Sequence, residues 1–487
     1  MPLMTPEQYI ASLRALKPEI YKFGRRIEDV TTAPDTKYTV RGVAELYRLA
    51  QDEQYKDTMT TYSDLVDGPI NRYLSIMKTA DDARVNTDVK RLAFQQTGTC
   101  TGSRCAGWSA SNALWATTWE MDQQLGTDYH QRLRAWLKSA QERDISIAGA
   151  LTDPKGNRTL PPSQQSDPDM NLRVVDVRDD GIVVRGAKVM IAGAAAAHEI
   201  FVVPGSGYRE ADRDYAVSFA VPIDAPGLVI VEARQPNDTR KAEEGFDKGT
   251  ECGGISQGYL FFQDVFIPRE RVFMCREHQF SAPAVVRFVL CERATMGGCV
   301  AGQGDVKLAA AALMAHCNGI GHRPLMDKFL EMVVDNETLY GVSIAASMMG
   351  RQHPSGAWLP DPLLANVSKI NVARLPYRTS MTCQEICGGI GETGCMPSYA
   401  DYIDEKVGPL VQKYLKAGSS AEARMRAARL AEFTTTGCGV PGCMHGGGSP
   451  EAAKLALRGL VDFNSYLELG KRLAGIEEDV AVKAGKT

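Results

Sequence analysis

Apolar residues recur at three- and four-residue spacing through the first 140 or so positions, then alternate, then return to helical spacing up to the C-terminus. Thr5-Pro6-Glu7-Gln8 predicts a helix start, with Thr5 as the cap and Pro6 in the first turn. Lys17-Pro18 ends that helix, because the residue before a proline is pushed out of the helical region. Residues 43–51 and 128–141 read as amphipathic helices, and 24–34 as a short extended segment with a turn. The period changes near residue 145. A turn cluster at 153–158 is followed by alternation over 172–177, an Asp179-Asp180-Gly181 hairpin turn and a return strand at 182–185. Further strands are predicted at 200–203, 216–221, 228–232, 259–262 and 265–267, which suggests a barrel or sandwich of about 130 residues. Helical spacing resumes near 281, over 282–318, 324–350, 363–386, 399–417, 420–434 and 450–475. The expected class is α+β: a helical domain (1–142), a β domain (143–278) and a helical bundle (279–487).

Length agrees with this division, since 487 residues exceed one small core and call for two to four domains. A net charge of −4 without a basic patch argues against a nucleic-acid partner. No apolar run reaches the ~18 residues that a membrane helix needs, so no membrane partner is expected. The N-terminus has no charged segment followed by an apolar one, so a cytoplasmic protein is expected. The 12 cysteines are scattered, with no small-scaffold framework, which fits a reducing, anaerobic cytoplasm.

Two cysteine stretches carry candidate chemistry. In Cys291-Glu-Arg-Ala-Thr-Met-Gly-Gly-Cys299, Gly297 and Gly298 allow a close backbone approach, and Cys299 follows directly. In Thr97-Gly-Thr-Cys100-Thr-Gly-Ser-Arg-Cys105, two cysteines five apart precede an apolar run. Three such thiols could hold an iron–sulfur cluster; equally, they could be buried packing residues beside a tight helix contact. Gly389-x-Gly391-x-x-Gly394 nominally matches a dinucleotide fingerprint, but it follows a helix rather than a strand, so a helix C-cap is the competing reading. His445, with Gly446–Gly448, either lines a substrate channel or caps a loop. Cys438 and Cys443 repeat the five-residue spacing and read first as buried thiols.

Several motifs carry a resemblance that spans nearly the whole chain. Gly24-Arg-Arg-Ile-Glu-Asp-Val30, the 179–188 hairpin, Val221-Pro-Ile-Asp-Ala-Pro-Gly227, Asp264-Val-Phe-Ile-Pro-Arg-Glu-Arg-Val-Phe273 and His445-Gly-Gly-Gly-Ser-Pro450 resemble the flavin-linked 4-hydroxyphenylacetate 3-hydroxylase superfamily. Within it, Asp153-Pro-Lys-Gly-Asn-Arg158, Asp167-Pro-Asp169 and the Cys100/Cys105/Cys299 set resemble the 4-hydroxybutyryl-CoA dehydratase branch. The resemblance implies an acyl-CoA dehydrogenase-like fold, a homo-oligomer (dimer or tetramer), FAD, and a [4Fe-4S] cluster held by three cysteines and a histidine.

Carried over residue by residue, it implies iron ligands at Cys100, Cys105 and Cys299. The family histidine, seven residues before the last cysteine, falls on Glu292, leaving Glu292, Cys291 or an exogenous group as fourth ligand. The family cysteine pair is four apart and this one is five, so a helix bulge is expected unless Cys100 is only a neighbour. Met296 and Val300 replace a tyrosine and a lysine, Gln257 replaces a glutamate, and Ala192 replaces a threonine. Flavin contacts are implied at Asp153, Lys155, Asn157, Ala192, Gly193, Gly388, Gly389 and Gly391, and catalytic roles at Glu292, His445 and Gln257. The implied activity is a hydro-lyase that removes water from a hydroxyacyl substrate, possibly a CoA ester, by a radical route with altered site chemistry. The competing activities are a reduced-flavin aromatic monooxygenase without a cluster and a flavin/iron–sulfur redox enzyme acting on a non-CoA hydroxylated substrate.

Overall fold

A computed structural model describes residues 3–100, 102–235, 238, 243–247, 256–436 and 445–476. Thr101, Cys252, Cys438 and Cys443 lie outside the described residues. The helix–strand–helix order holds, and with it the α+β class. The first helix, Pro6–Ala15, starts on a Thr5/Gln8 capping box and stops at Leu16, as the proline predicts. Helices Lys37–Gln51, Ala80–Thr97, Gly102–Leu125 and Tyr129–Arg143 complete the N-terminal part.

The central strands form two separate sheets, and no closed barrel is found among the described residues. The six-stranded sheet runs in the order Arg25–Arg26, Glu19–Lys22, Leu228–Glu232, Gln257–Pro268, Gly181–Ala192, Arg173–Arg178. The four-stranded sheet runs Val272–Cys275, Val217–Pro222, Glu199–Val202, Ile147–Ala150. Strand Glu19–Lys22 comes from the N-terminal part and pairs in parallel with Leu228–Glu232, so the β unit draws on residues outside 143–278. The hairpin at 179–181 forms as its turn residues predict. Ile147–Ala150 has no alternation in sequence because both of its faces are covered. Helix Gly102–Leu125 lies directly on it: a Cβ on Gly107 would meet the Ile147 carbonyl oxygen at 2.3 Å, and one on Gly149 would meet the Ala106 carbonyl oxygen at 2.5 Å.

The C-terminal bundle is built on one 37-residue helix, Ser281–Cys317, which contains the whole Cys291–Cys299 stretch. Helices Met326–Met348, Pro362–Val372, Leu375–Thr393 and Ala421–Thr435 pack around it. The segments predicted at 363–386 and 450–475 each divide in two. Pro376 starts a new helix at Leu375, and the Asp462 side chain caps a new one at Phe463. No helix among the described residues is long and apolar enough to cross a membrane.

Candidate active site

Three elements bring the cysteines together. Helix Ala80–Thr97 ends at Gly98, whose left-handed φ of 68° turns the chain. Cys100 lies in the connector that follows, and Cys105 in the first turn of helix Gly102–Leu125. The five-residue spacing is therefore absorbed between helices, and the expected bulge is not needed. Cys299 comes from the long C-terminal helix, where Gly298 brings the backbone against helix Ala80–Thr97. A Cβ on Gly298 would lie 2.1 Å from the Thr87 carbonyl oxygen. The Gly297–Gly298 pair thus makes a tight helix–helix contact, and that contact carries Cys299 to the other two thiols.

All three thiols are buried and lie within electrostatic reach of Lys90 and Glu292. Burial, then Cys100 and Cys105, push the Cys299 thiol well above its ordinary range. Burial and the Glu292 carboxylate push Cys100 up to about 11, while an amide at the start of the helix opposes the shift. Burial raises Cys105 as well, with Glu292 adding to it. Cys291 is different. Burial and Glu292 push it up to about 12, yet no other cysteine contributes. It packs against Met77, Ala83 and Trp358. Adjacent helix residues point about 100° apart, so Cys291 and Glu292 face different neighbours. Glu292, seven residues before Cys299, lies closer than Cys291 to the helix face that carries Cys299.

Glu292, Met296 and Cys299 share a face by their four- and seven-residue spacing. One Glu292 oxygen, Oε2, lies 3.9 Å from Lys90 Nζ, whereas the other, Oε1, is buried without a hydrogen-bond partner. Met296 and Val300 join an apolar cluster with Leu339 and Val372. His445 precedes a glycine segment, Gly446–Gly448, held over this face. Arg293 Nε donates to the Gly447 carbonyl at 2.8 Å and Lys369 Nζ to the Gly446 carbonyl at 2.6 Å. A Cβ on Gly447 would lie 3.3 Å from Met296 and 3.5 Å from Glu292. The His445 side chain itself is exposed.

The flavin candidates separate into three groups, the first of them beside the catalytic candidate Gln257. Ala192 and Gln257 are cross-strand partners. Gly193, at φ +70°, passes so close to helix Gly102–Leu125 that a Cβ would meet Ser103 N at 2.5 Å. These three therefore adjoin the cysteine pair. Asp153 is buried in an ion pair with Lys188 at 2.7 Å and accepts from Tyr208 at 2.8 Å, which anchors the following loop. Lys155 and Asn157, on that loop, are exposed. Gly388, Gly389 and Gly391 lie in the C-terminal bundle, apart from the strands. Gly388 kinks helix Leu375–Thr393 with φ 70° and ψ −175°. A Cβ on Gly388 or Gly389 would meet nothing within 4 Å, so an extended ligand could approach the backbone there. The same helix ends on Gly394, so the nominal fingerprint lies on a kinked, capped helix.

The donor set can be tested against a cluster. Among the described residues, no group of three or more His, Cys, Asp or Glu is tight enough to hold a single metal ion. A [4Fe-4S] cluster asks for something wider, because each thiolate binds a different iron. Three buried thiols, with Cys299 under the influence of both others, and one unpartnered carboxylate oxygen fit that demand in number and chemistry. Lys90 and Thr295 were not singled out in sequence. Buried Lys90 donates to Thr295 Oγ1 at 2.7 Å, and its ammonium stands against burial because Glu292, Cys105, Cys299 and Cys291 together hold it above its ordinary value. The available signal was Lys90's place on the inward stripe of Ala83, Asn86, Thr87, Ala93, Phe94 and Thr97.

Known proteins share this architecture. Residues 5–274 match the family model for the N-terminal part of 4-hydroxyphenylacetate 3-hydroxylase, and residues 282–475 that for its C-terminal part. The 4-hydroxybutyryl-CoA dehydratase/vinylacetyl-CoA-Δ-isomerase of Clostridium aminobutyricum is 43% identical over 98% of this chain and 100% of that protein. The 4-hydroxyphenylacetate 3-monooxygenase oxygenase component of Thermus thermophilus is 28% identical over 89% of each. An oxygen-tolerant 4-hydroxybutyryl-CoA dehydratase from N. maritimus superposes with a TM-score of 0.94 at 36% identity, covering 100% of this chain and 98% of that one. The 4-hydroxyphenylacetate 3-monooxygenase oxygenase component complexed with FAD gives 0.85 at 25% identity, covering 96% of this chain and 98% of that one.

Proposed function

Because the chain belongs to the 4-hydroxyphenylacetate 3-hydroxylase family, on its 4-hydroxybutyryl-CoA dehydratase branch, we propose that it is an FAD- and [4Fe-4S]-dependent hydro-lyase that removes water from a hydroxyacyl substrate, a CoA ester in the first instance. The observation that carries the reading is the meeting of Cys100, Cys105 and Cys299 beside the open oxygen of Glu292. When bound, the flavin would supply one-electron chemistry and the cluster a Lewis-acidic iron.

Loss of water breaks one C–O and one C–H bond, so the chain must hold a hydroxyl, an acidic C–H and a proton acceptor together. Cys100, Cys105 and Cys299 would hold the cluster, and Glu292 Oε1 would reach its fourth iron. Ala192, Gly193 and Gln257 would border the flavin ring next to the cysteine pair. Gly388 and Gly389 would leave room for the flavin's phosphates, and the exposed Lys155 and Asn157 would flank them. His445, on the loop pinned by Arg293 and Lys369, would be the proton acceptor at the substrate end. With methionine, valine and glutamine at positions 296, 300 and 257, no titrating group stands at those three places, so the proton steps would fall to other residues. The protein would act as a cytoplasmic homo-oligomer, a dimer or tetramer.

The test is anaerobic incubation of the flavin- and iron-loaded protein with 4-hydroxybutyryl-CoA and, separately, with free 4-hydroxy acids. Mass spectrometry should show a product lighter by one water from the CoA ester. An unchanged CoA ester together with an oxygenated phenol in an aerobic, reduced-flavin assay would instead establish the monooxygenase activity of the wider family.

A further inference from the structure

Glu292 is held asymmetrically. Its Oε2 looks toward the Lys90 ammonium at 3.9 Å, and its Oε1 is buried with no partner. Lys90 is itself fixed. Its side chain is 4% exposed, and it donates at 2.7 Å to Thr295 Oγ1, whose hydroxyl donates at 2.8 Å to the Cys291 carbonyl one helical turn back. The lysine therefore has little freedom to follow the carboxylate; the carboxylate must follow the lysine. Its charge bears on the whole donor set, because Cys100, Cys105 and Cys299 all sense Lys90 as the cation opposing their other neighbours.

We propose that Lys90 is a positioning residue that clamps Glu292 through Oε2, presents Oε1 alone as a one-oxygen ligand to the fourth iron, and balances part of the negative charge that three thiolates and a carboxylate gather in a buried site. A carboxylate without such a clamp can turn either oxygen, or both, toward a metal. Histidine ligands meet the same need by donating their second ring N–H to an outer partner. Here a lysine from a neighbouring helix would do this for a carboxylate by charge, across 3.9 Å, rather than by a hydrogen bond. The inference rests on the cofactor reading above.

The experiment measures how fast a chelator removes one iron per chain from anaerobically loaded protein, followed by iron count and by the EPR signal of the three-iron product. Outer-shell partners typically change metal retention about 10–100-fold, so Lys90→Met should speed loss of the fourth iron by that factor while the three cysteine-held irons remain. Glu292→Ala should do the same, and the double variant should be no faster than Glu292→Ala, because Lys90 acts through Glu292. Thr295→Val keeps the charge and frees the lysine, and should fall between wild type and Lys90→Met. It carries the test alone if Lys90→Met does not fold. Wild-type rates in the folded variants, or effects that multiply in the double variant, would overturn the clamp. A wild-type chain that never binds iron sinks the cofactor reading along with it, whereas four irons released at a rate indifferent to Lys90 sink only the clamp.

Discussion

A buried histidine shows how tightly the region around the site is specified at the scale of single residues. Ser146 N–H donates to His198 Nδ1 at 3.0 Å, so Nε2 carries the proton and donates to Ser12 Oγ at 2.8 Å. A second proton would face a donor. Burial, reinforced by Arg104, accordingly lowers His198 to about 4. The unfolded chain takes up the proton near pH 6.5, so stability is whole above that value and is lost as pH falls toward 4. From His198 alone, denaturant unfolding at about pH 5 should give about 2 kcal/mol less stability than at about pH 7. His198→Asn should flatten that slope; an unaltered slope would mean that other groups carry it. Residue-level chemistry was partly legible in sequence. The resemblance reached Glu292 and the three cysteines. It could not reach Lys90, because a lysine in Asp88-Val-Lys-Arg91 looks like any charged helix face until the helix phase shows it pointing inward. Nor could spacing separate Cys291 from Glu292, which helix rotation sends to different neighbours.

The position of Cys299 depends on how closely two helices approach. Gly298 and Gly302 let helix Ser281–Cys317 lie on helix Ala80–Thr97, with Cβ positions that would fall 2.1 Å and 2.5 Å from the carbonyl oxygens of Thr87 and Arg91. Alanine at a helical glycine gains about 1 kcal/mol of propensity, but forcing a methyl against backbone costs about 1–3 kcal/mol. Gly298→Ala should therefore lower the denaturant midpoint. Gly341→Ala, whose Cβ would meet nothing within 4 Å in helix Met326–Met348, should raise it. The same sign for both would show that steric contact is not what selects glycine at 298. Helices were the most legible elements in sequence, since periodicity marks them over many turns; where the predictions ran on, as at 363–386 and 450–475, a proline or a side-chain cap had started a new helix. The strand Ile147–Ala150 was not legible, because four residues covered on both sides show no alternation.

At the scale of the whole molecule, the order of helical, β and helical segments was readable from the changes of period alone, and the resemblance gave the family. Sheet closure was not readable. Whether strands close or split into a six- and a four-stranded sheet depends on pairings such as Glu19–Lys22 with Leu228–Glu232, some two hundred residues apart, which no local pattern records. The architecture places the cysteine connector, the 192–193 turn and the face of the long helix at one junction, and the account stands on what that junction holds. The most direct measurement is iron, acid-labile sulfide and flavin per chain in protein purified without oxygen. The account predicts about four irons, about four sulfides and one FAD per chain, with iron lost in Cys100→Ala, Cys105→Ala and Cys299→Ala. A full complement of flavin with no iron would contradict it, leaving the three thiols as packing residues in a flavin monooxygenase.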